Sequence, residues 1–563
     1  MNPSQPWIQT GRVRCRRGLS AAPLLAISAL LAVSAMAANI ESSKSMVKPP
    51  VAVAGGLDNH PYVTNITPSV TNGTATVEWF GIVGPFELEA KAGLDDATWN
   101  SVGTTTTRKA TLPMNEASGF LRVKAPDANF VGAQQCALCH VTAHAKWSET
   151  AHARAFDTLK AIGMHENSRC LQCHTVGYGQ ANGFNSEAED MALAGVQCEN
   201  CHGPGGNHVA NPFDPSTVPV VTIAAEVCGG CHTDAHHPTY DEWQHSLHSR
   251  VDVHVAEGFI ETGWSRMQSC GGCHSGAVRK SMLDQIADPD LPFASKEDAA
   301  YFGVTCATCH NAHDNTLHSQ LRNPSFSTEF FSYVTSQNLS AQYDPNIQMC
   351  GQCHNQRGAL WTSSGRPPHH SPQYNILVGK IAKPGTADAA WNSTMSFHGA
   401  QPLQCVQCHT HAHEVEDPDD ESPSYTGHTF EAALHGCTAT GCHSSESVAR
   451  VLWTGAQTES KAAIQDVKGL LDNWALTKAS AALREKYGTL AWEYTVVGQL
   501  SNPDGDSSIV GPSSGEQSGI PNEIKKARFL LYLVEHDGSY GIHNGDYSRF
   551  LLGEAEKLIL AAP

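Results

Sequence analysis

Two stretches of this chain carry a regular alternation of apolar and polar positions, and a long middle stretch carries none. In residues 57–126, Ala75, Val77 and Trp79 alternate with Thr74, Thr76 and Glu78. Phe86, Leu88 and Ala90 alternate in the same way with Glu87, Glu89 and Lys91. This period of two predicts half-buried strands. Turn signals at Asn72-Gly73, Gly84-Pro85 and Leu94-Asp95-Asp96 separate the runs, and further short strands are predicted over 109–112 and 120–123. Short strands at this spacing predict a small β-sandwich. After residue 446 the period becomes helical: Ile464, Val467, Leu470, Leu471 and Trp474 recur three to four apart, as do Tyr487, Leu490, Tyr494 and Val497. A Ser/Gly/Pro-rich loop is predicted around 501–520. Pro521 then opens a helix with Ile524, Ala527, Leu531 and Val534 on one face, and a last helix is predicted over 546–560. The 446–563 helices either close the preceding region or form a dimer face, since amphipathic helices serve both ends.

The N-terminus has the grammar of export. Arg12, Arg14, Arg16 and Arg17 precede an apolar run from Leu19 to Val33, and Ala35-Met36-Ala37 supplies a small-x-small cleavage pattern. Residues 1–37 are therefore predicted to be a signal peptide, followed by a linker over 38–56. The apolar run is too short to span a bilayer once it is cleaved, and no cysteine stands at the cleavage point to carry lipid. The expectation is a periplasmic or extracellular protein with no stable membrane insertion. Removing the segment takes away four arginines and no acid, which moves the formal charge from −19 to −23. So acidic a chain is a poor partner for nucleic acid.

The middle region, residues 131–445, carries the chemistry. Eight times it reads C-x-x-C-H. These motifs are Cys136, Cys139 and His140; Cys170, Cys173 and His174; Cys198, Cys201 and His202; Cys228, Cys231 and His232; Cys270, Cys273 and His274; Cys306, Cys309 and His310; Cys350, Cys353 and His354; and Cys405, Cys408 and His409. A ninth pair is stretched to four intervening residues, Cys437 and Cys442, followed by His443. C-x-x-C-H is the attachment site of haem c. Two thiols add to the two vinyl groups of one porphyrin, and the adjacent histidine supplies the proximal nitrogen to iron. A lone C-x-x-C pair is better read as a zinc clasp or a redox disulfide. Neither of those needs a histidine after every second cysteine, and 18 of the 19 cysteines stand in such pairs; the other, Cys15, lies in the signal. Nine haems are expected, with iron as the metal. The porphyrins then provide much of the core, so regular structure here should be sparse and mainly short helices.

A low-spin haem needs a second axial ligand, and 21 of the 30 histidines lie outside the motifs. Trp147-Ser-Glu-Thr150-Ala-His152 and Trp243-Gln-His-Ser246-Leu-His248 share W-x-x-[S/T]-x-H, and Ser396-Phe-His398 repeats its second half. Three similar settings suggest one repeated task. His208, His313 and His413 follow a motif too closely to reach its own haem and are assigned to a neighbouring one. His435 and His543 complete the distal candidates. For His60, His165 and His536 a surface or hydrogen-bonding role is expected. No motif reads C-x-x-C-K, the arrangement of ammonia-forming nitrite reductases, although Lys280 lies soon after the fifth motif. Arg279, Arg357 and Arg366 are read as propionate partners rather than an anion pocket.

Residues 132–208 resemble the multihaem c-type cytochromes that include the tetrahaem electron acceptor of hydroxylamine oxidoreductase. The resemblance is carried by the first motif with Trp147 and His152, by Cys170-Leu-Gln-Cys173-His174-Thr-Val-Gly with Gly183-Phe184, and by Gly195-Val-Gln-Cys198-Glu-Asn-Cys201-His202-Gly-Pro-Gly with His208. Gly303-Val-Thr-Cys306 through His310-Asn-Ala-His313 is similar to the C-H-N-P-H box of other periplasmic multihaem cytochromes. Asp537-Gly-Ser-Tyr-Gly-Ile-His543-Asn is similar to the tail of the nitrite reductase and octahaem group. This resemblance implies closely stacked, mostly bis-histidine haems forming an electron wire. Residues 57–126 resemble a divergent fibronectin type III domain in Val77-Glu-Trp79, Trp99 and Gly119-Phe-Leu-Arg-Val123. The expected architecture is multidomain: β-sandwich, haem-rich mainly α region, C-terminal α-helices. The expected function is electron transfer with redox partner proteins, quinol-linked or other cytochromes. The alternative is an oxidoreductase acting on nitrite, hydroxylamine or a sulfur oxyanion at one open iron. Whether the chain is an enzyme, and whether it forms an oligomer, stay open at this level.

Overall fold

The computed structural model describes residues 62–69, 74–80, 86–91, 98–105, 109–113, 120–124 and 129–563, apart from 220, 235–236, 288, 323–348, 357–358, 383–384, 414–423 and 440. The predicted signal and linker, with Cys15 and His60, lie outside these residues, as does Arg357. The described chain is mostly helical, with two small sheets and long irregular connections. It divides into two compact units, one formed by residues 1–241 and 305–320, the other by 242–304 and 321–563.

In the first unit, strands β1 (Tyr62–Ser69), β2 (Thr74–Phe80) and β5 (Lys109–Pro113) form one antiparallel sheet in the order β1-β2-β5. Strands β3 (Phe86–Lys91), β4 (Asn100–Thr105) and β6 (Phe120–Lys124) form another in the order β4-β3-β6. Val77 pairs with Ile66 and Ala110, and Leu88 with Gly103 and Val123. Both residues are buried, as the alternation requires.

The cysteine motifs ride on helical pieces of three to seven residues, among them Ala133–Ala137, Ser168–His174, Cys198–His202, Gly272–His274, Cys306–Cys309 and Gln404–His409. One turn suffices because it places residues i and i+3 on one side. Protein-only cores in this region are small; the best formed in the first unit gathers Phe156, Leu159, Leu171, Val176, Phe184 and Leu193.

The second unit ends in a true helical core. Helix α1 (Glu446–Thr477) is capped by Ser445, whose hydroxyl accepts from Val448 N at 3.2 Å. Helix α2 (Ala481–Tyr487) is followed by α3 (Asn522–His536) and α4 (Gly545–Ala561). The three-to-four spacing of Tyr487, Leu490, Tyr494 and Val497 does not become one helix. Gly488 sits at φ +54°, a short 3₁₀ turn covers Gly488–Trp492, and the chain then runs extended. Helix α3 differs from a one-faced amphipathic helix: it is buried on nearly every side, from Ile524 through Val534. Its Arg528 is fully buried. That guanidinium donates to the carbonyls of Trp492 and Glu493, both at 2.7 Å, and to Gln517 Oε1 at 2.9 Å.

Candidate functional site

The repeated W-x-x-[S/T]-x-H segment folds the same way twice. Trp147 Nε1 donates to the Val196 carbonyl at 3.0 Å, and Thr150 Oγ1 donates to the Trp147 carbonyl at 2.7 Å. Trp243 Nε1 donates to the Val304 carbonyl at 2.9 Å, and Ser246 Oγ to the Trp243 carbonyl at 2.7 Å. Each valine stands two residues before a motif cysteine, Cys198 or Cys306. The indole thus fixes a distal candidate, His152 or His248, to a carbonyl leading into a motif. Gly195 permits the first latch, because a Cβ there would lie 2.7 Å from the Ala153 carbonyl oxygen and its φ is +90°. Gly303 permits the second, with a Cβ position 2.4 Å from the His248 carbonyl oxygen.

Glu199, inside the third motif, ties the first and third motifs together. Its buried carboxylate accepts from Gly132 N at 2.8 Å, from Val131 N at 3.1 Å and from Gly205 N at 2.7 Å. Gln197 Oε1 accepts from Ala133 N at 2.6 Å. The thiols of Cys136 and Cys198 consequently meet. Cys173 meets Cys231, Cys228 meets Cys306, and Cys350 meets Cys405. None of the eighteen motif cysteines forms a disulfide. Cys139 in the first motif and Cys442 in the ninth are exposed, whereas Cys273 in the fifth is half-buried, like the remaining motif cysteines. The first and last motifs therefore each present one thiol to solvent. Burial raises the Cys201 thiol to about 12 and the Cys408 thiol to about 11.

Seven motif histidines each face a second imidazole. Ring centroids lie 6.4 Å apart for His140 and His208, 6.1 Å for His232 and His152, and 5.8 Å for His202 and His313. They lie 5.8 Å apart for His274 and His369, 6.1 Å for His354 and His248, 6.3 Å for His409 and His543, and 6.5 Å for His443 and His398. Two imidazoles in direct stacking contact, such as His370 and His536, stand closer, at 3.5 Å. An iron bound on each face through bonds of about 2 Å, plus the reach from nitrogen to ring centre, holds two imidazole centroids roughly 6 Å apart. The spacing fits haem. It does not fit zinc clasps: among the described residues, no motif gathers three of its own ligand atoms within 4.8 Å.

The outward nitrogens agree. His174 Nδ1 donates to the Ala155 carbonyl at 2.7 Å, His310 Nδ1 to Ser319 at 2.8 Å, His409 Nδ1 to Phe430 at 2.8 Å and His398 Nδ1 to Ile542 at 2.6 Å. His543 Nδ1 donates to the Asp537 carboxylate at 2.6 Å. Each bond orients a ring and leaves Nε2 as the ligand atom. Burial holds His152, His248 and His409 below the usual imidazole range, so they stay neutral and able to bind metal. Burial pulls His543 down as well, but the charge and hydrogen bond of Asp537 raise it on balance.

Two distal candidates behave differently. His413 and His435 stack on each other at 4.6 Å, and His435 lies 5.3 Å from His411; among the described residues His435 faces no motif histidine at the seven-pair spacing. His369 was not among the candidates. It follows two prolines in Pro367-Pro368-His369-His370-Ser371-Pro372, a stretch with no periodicity to mark it, and the doubled histidine is its one sequence signal. His536 hydrogen-bonds, as expected, to the Pro368 carbonyl at 2.7 Å. Lys280 pairs with Asp284 one helical turn away.

Residues 135–203 match the family model described as cytochrome c554 and c-prime. The chain is similar to cytochrome c-554 of Nitrosomonas europaea, 37% identical over 98 residues, which are 15% of this chain and 42% of that protein. It is 28% identical to the multiheme cytochrome MtrA of Shewanella baltica over 182 residues, 29% of this chain and 51% of the relative. It is 24% identical to the C-type polyheme cytochrome OmcB of Geobacter sulfurreducens over 288 residues, 44% of this chain and 36% of the relative. The chain thus spans about half, or less, of the length of these relatives. Among the described residues no helix is long and apolar enough to cross a membrane. Motif chemistry and imidazole spacing fit haem c, and these relatives support the reading of this chain as a multihaem c-type cytochrome.

Proposed function

We propose that this chain is an exported electron carrier holding nine haem c groups. The observation that carries the reading is the set of seven imidazole pairs with centroids 5.8–6.5 Å apart. Haem c, when bound, supplies iron that takes up and releases one electron. The protein's part is to anchor each ring by two cysteines, to fill both axial positions, and to keep neighbouring rings close. The meeting thiols support that last role: Cys136 with Cys198, Cys173 with Cys231 and Cys228 with Cys306 bring ring edges together in the first unit. In the second unit Cys350 meets Cys405, and Cys353 Sγ lies 3.8 Å from the Gly272 carbonyl inside the fifth motif.

On this reading residues 1–37 are a signal peptide, 38–56 a linker, 57–126 a fibronectin type III-like sandwich used for spacing or docking, 131–445 the haem domain and 446–563 its helical closure. The destination is the periplasm or the cell exterior. The partners are redox proteins, and the acidic surface favours those with a basic docking face. Intact mass of the matured protein against the apo-protein mass tests the count: nine covalent porphyrins are expected, and four or fewer would overturn the reading.

A second reading rests on His174. Its Nδ1 is anchored, yet among the described residues no second imidazole stands opposite it at the spacing of the seven pairs. An iron open there would make the chain an oxidoreductase for nitrite, hydroxylamine or a sulfur oxyanion. A high-spin electron-paramagnetic-resonance signal that shifts with nitrite or cyanide, and changes its line shape in His174→Ala, favours this reading. Low-spin signals throughout favour the carrier.

A further inference from the structure

The last turn of α3 and the loop before Tyr374 bring together three side chains outside the imidazole pairs. His370, Glu535 and His536 each offer one ligand atom, and these atoms lie within 4.8 Å of one another. His536 is buried, and its Nδ1 donates to the Pro368 carbonyl at 2.7 Å. A carbonyl only accepts, so the proton sits on Nδ1 and Nε2 presents a lone pair. This Nε2 stands 3.1 Å from Glu535 Oε2. Both atoms are buried, and neither hydrogen-bonds to the other or to any other group. Two electron-rich atoms held at that distance repel unless a cation lies between them. The exposed His370 ring stacks on His536 with centroids 3.5 Å apart, at the solvent side of the cluster.

We propose that His370, Glu535 and His536 form a site for one divalent first-row transition metal ion. Two imidazoles and one carboxylate suit iron, nickel, copper or zinc better than calcium or magnesium, which prefer oxygen alone. An imidazole that binds metal through one nitrogen usually gives its other N–H to a carbonyl, as His536 does to Pro368. With metal–ligand bonds of about 2 Å, a 3.1 Å separation between Nε2 and Oε2 sets a ligand–metal–ligand angle near a right angle, that of cis positions in octahedral or square-planar sites. The site lies one residue from His369 and one from Asp537, so the ion adds positive charge beside the His274–His369 and His409–His543 pairs. The proposal stands independently of the electron-carrier reading.

The test uses tag-free, fully haem-loaded protein, stripped with a chelator and titrated with Ni²⁺, which haems do not reduce. One equivalent bound per chain is expected, with imidazole scattering in the nickel-edge X-ray absorption spectrum. His370→Ala and Glu535→Gln should each weaken binding about tenfold or more. Unchanged low-spin haem signals in both variants would show that the fold and the axial ligands persist. Absence of stoichiometric uptake would overturn the proposal and leave a proton shared by Glu535 and His536. So would parental affinity in both variants, or a nickel shell of oxygen alone.

Discussion

Asp537 accepts the Nδ1 proton of His543 at 2.6 Å and is itself buried at the C-terminal end of α3. The carboxylate makes the imidazole a stronger donor through Nε2. The same loop holds a second imidazole, since His398 donates to the carbonyl of Ile542 and Ser396 Oγ to that of His543. The helical core thereby orients two distal candidates at once. Asp537→Asn should weaken the donor and raise the potential of one haem by tens of millivolts; a tenfold change in a one-electron couple is about 59 mV. Potentiometric titration should show one centre moving while the others stay.

The facing pairs predict a pattern of ligand loss. His369→Ala and His398→Ala should each convert one low-spin haem to high spin. His435→Ala should convert none, because that ring stacks on His413 instead. Spin quantitation of the oxidised protein distinguishes these outcomes.

Gly195→Ala should damage the first unit more than Gly163→Ala. Both glycines have positive φ, +90° and +71°, but a Cβ meets the Ala153 carbonyl at the former and open space at the latter. The strain common to both costs about 1–3 kcal/mol, and the clash adds to it only at Gly195. Thermal unfolding followed by Soret circular dichroism should show the larger loss in Gly195→Ala.

Lys146 holds the Asp314 carboxyl at about 2, with Thr316 assisting. A depressed carboxyl stabilises the fold fully above its ordinary value of 3.8 and loses that contribution as pH falls toward about 2. Lys146 is half exposed, so the contribution is about 1 kcal/mol or less. In Asp314→Asn the acid limb of stability between pH 4 and 2 should flatten, as measured by denaturant unfolding at successive pH values.

Arg528→Ala should be severe, leaving the Trp492 carbonyl and Gln517 Oε1 without their buried donor and removing one of two from the Glu493 carbonyl. Loss of one side of such a network costs about 3–5 kcal/mol. Exposed Arg549→Ala should stay within about 0.5 kcal/mol. Urea midpoints of the two variants provide the comparison.

The cysteine motifs are legible in sequence because porphyrin attachment demands contiguous residues. The strand Phe86–Lys91 is legible because its apolar and polar residues alternate, and the long helix over Glu446–Thr477 because one side of it is buried. Tyr494 and Val497 mislead because Gly488 breaks the helix their spacing suggests. His369 is hidden for a different reason: it faces His274, 95 positions earlier, from a proline-bounded loop. Chain folding alone creates that proximity, and no local period announces it.

The two indole latches, Trp147 on Val196 and Trp243 on Val304, amount to one joint used twice. A polypeptide assembled from such a joint can be lengthened by copying a segment, since each copy brings its own fastening and needs no redesign of its neighbours. Chains of different reach are then accessible by repeating one segment, with the number of motifs scaling with the number of copies.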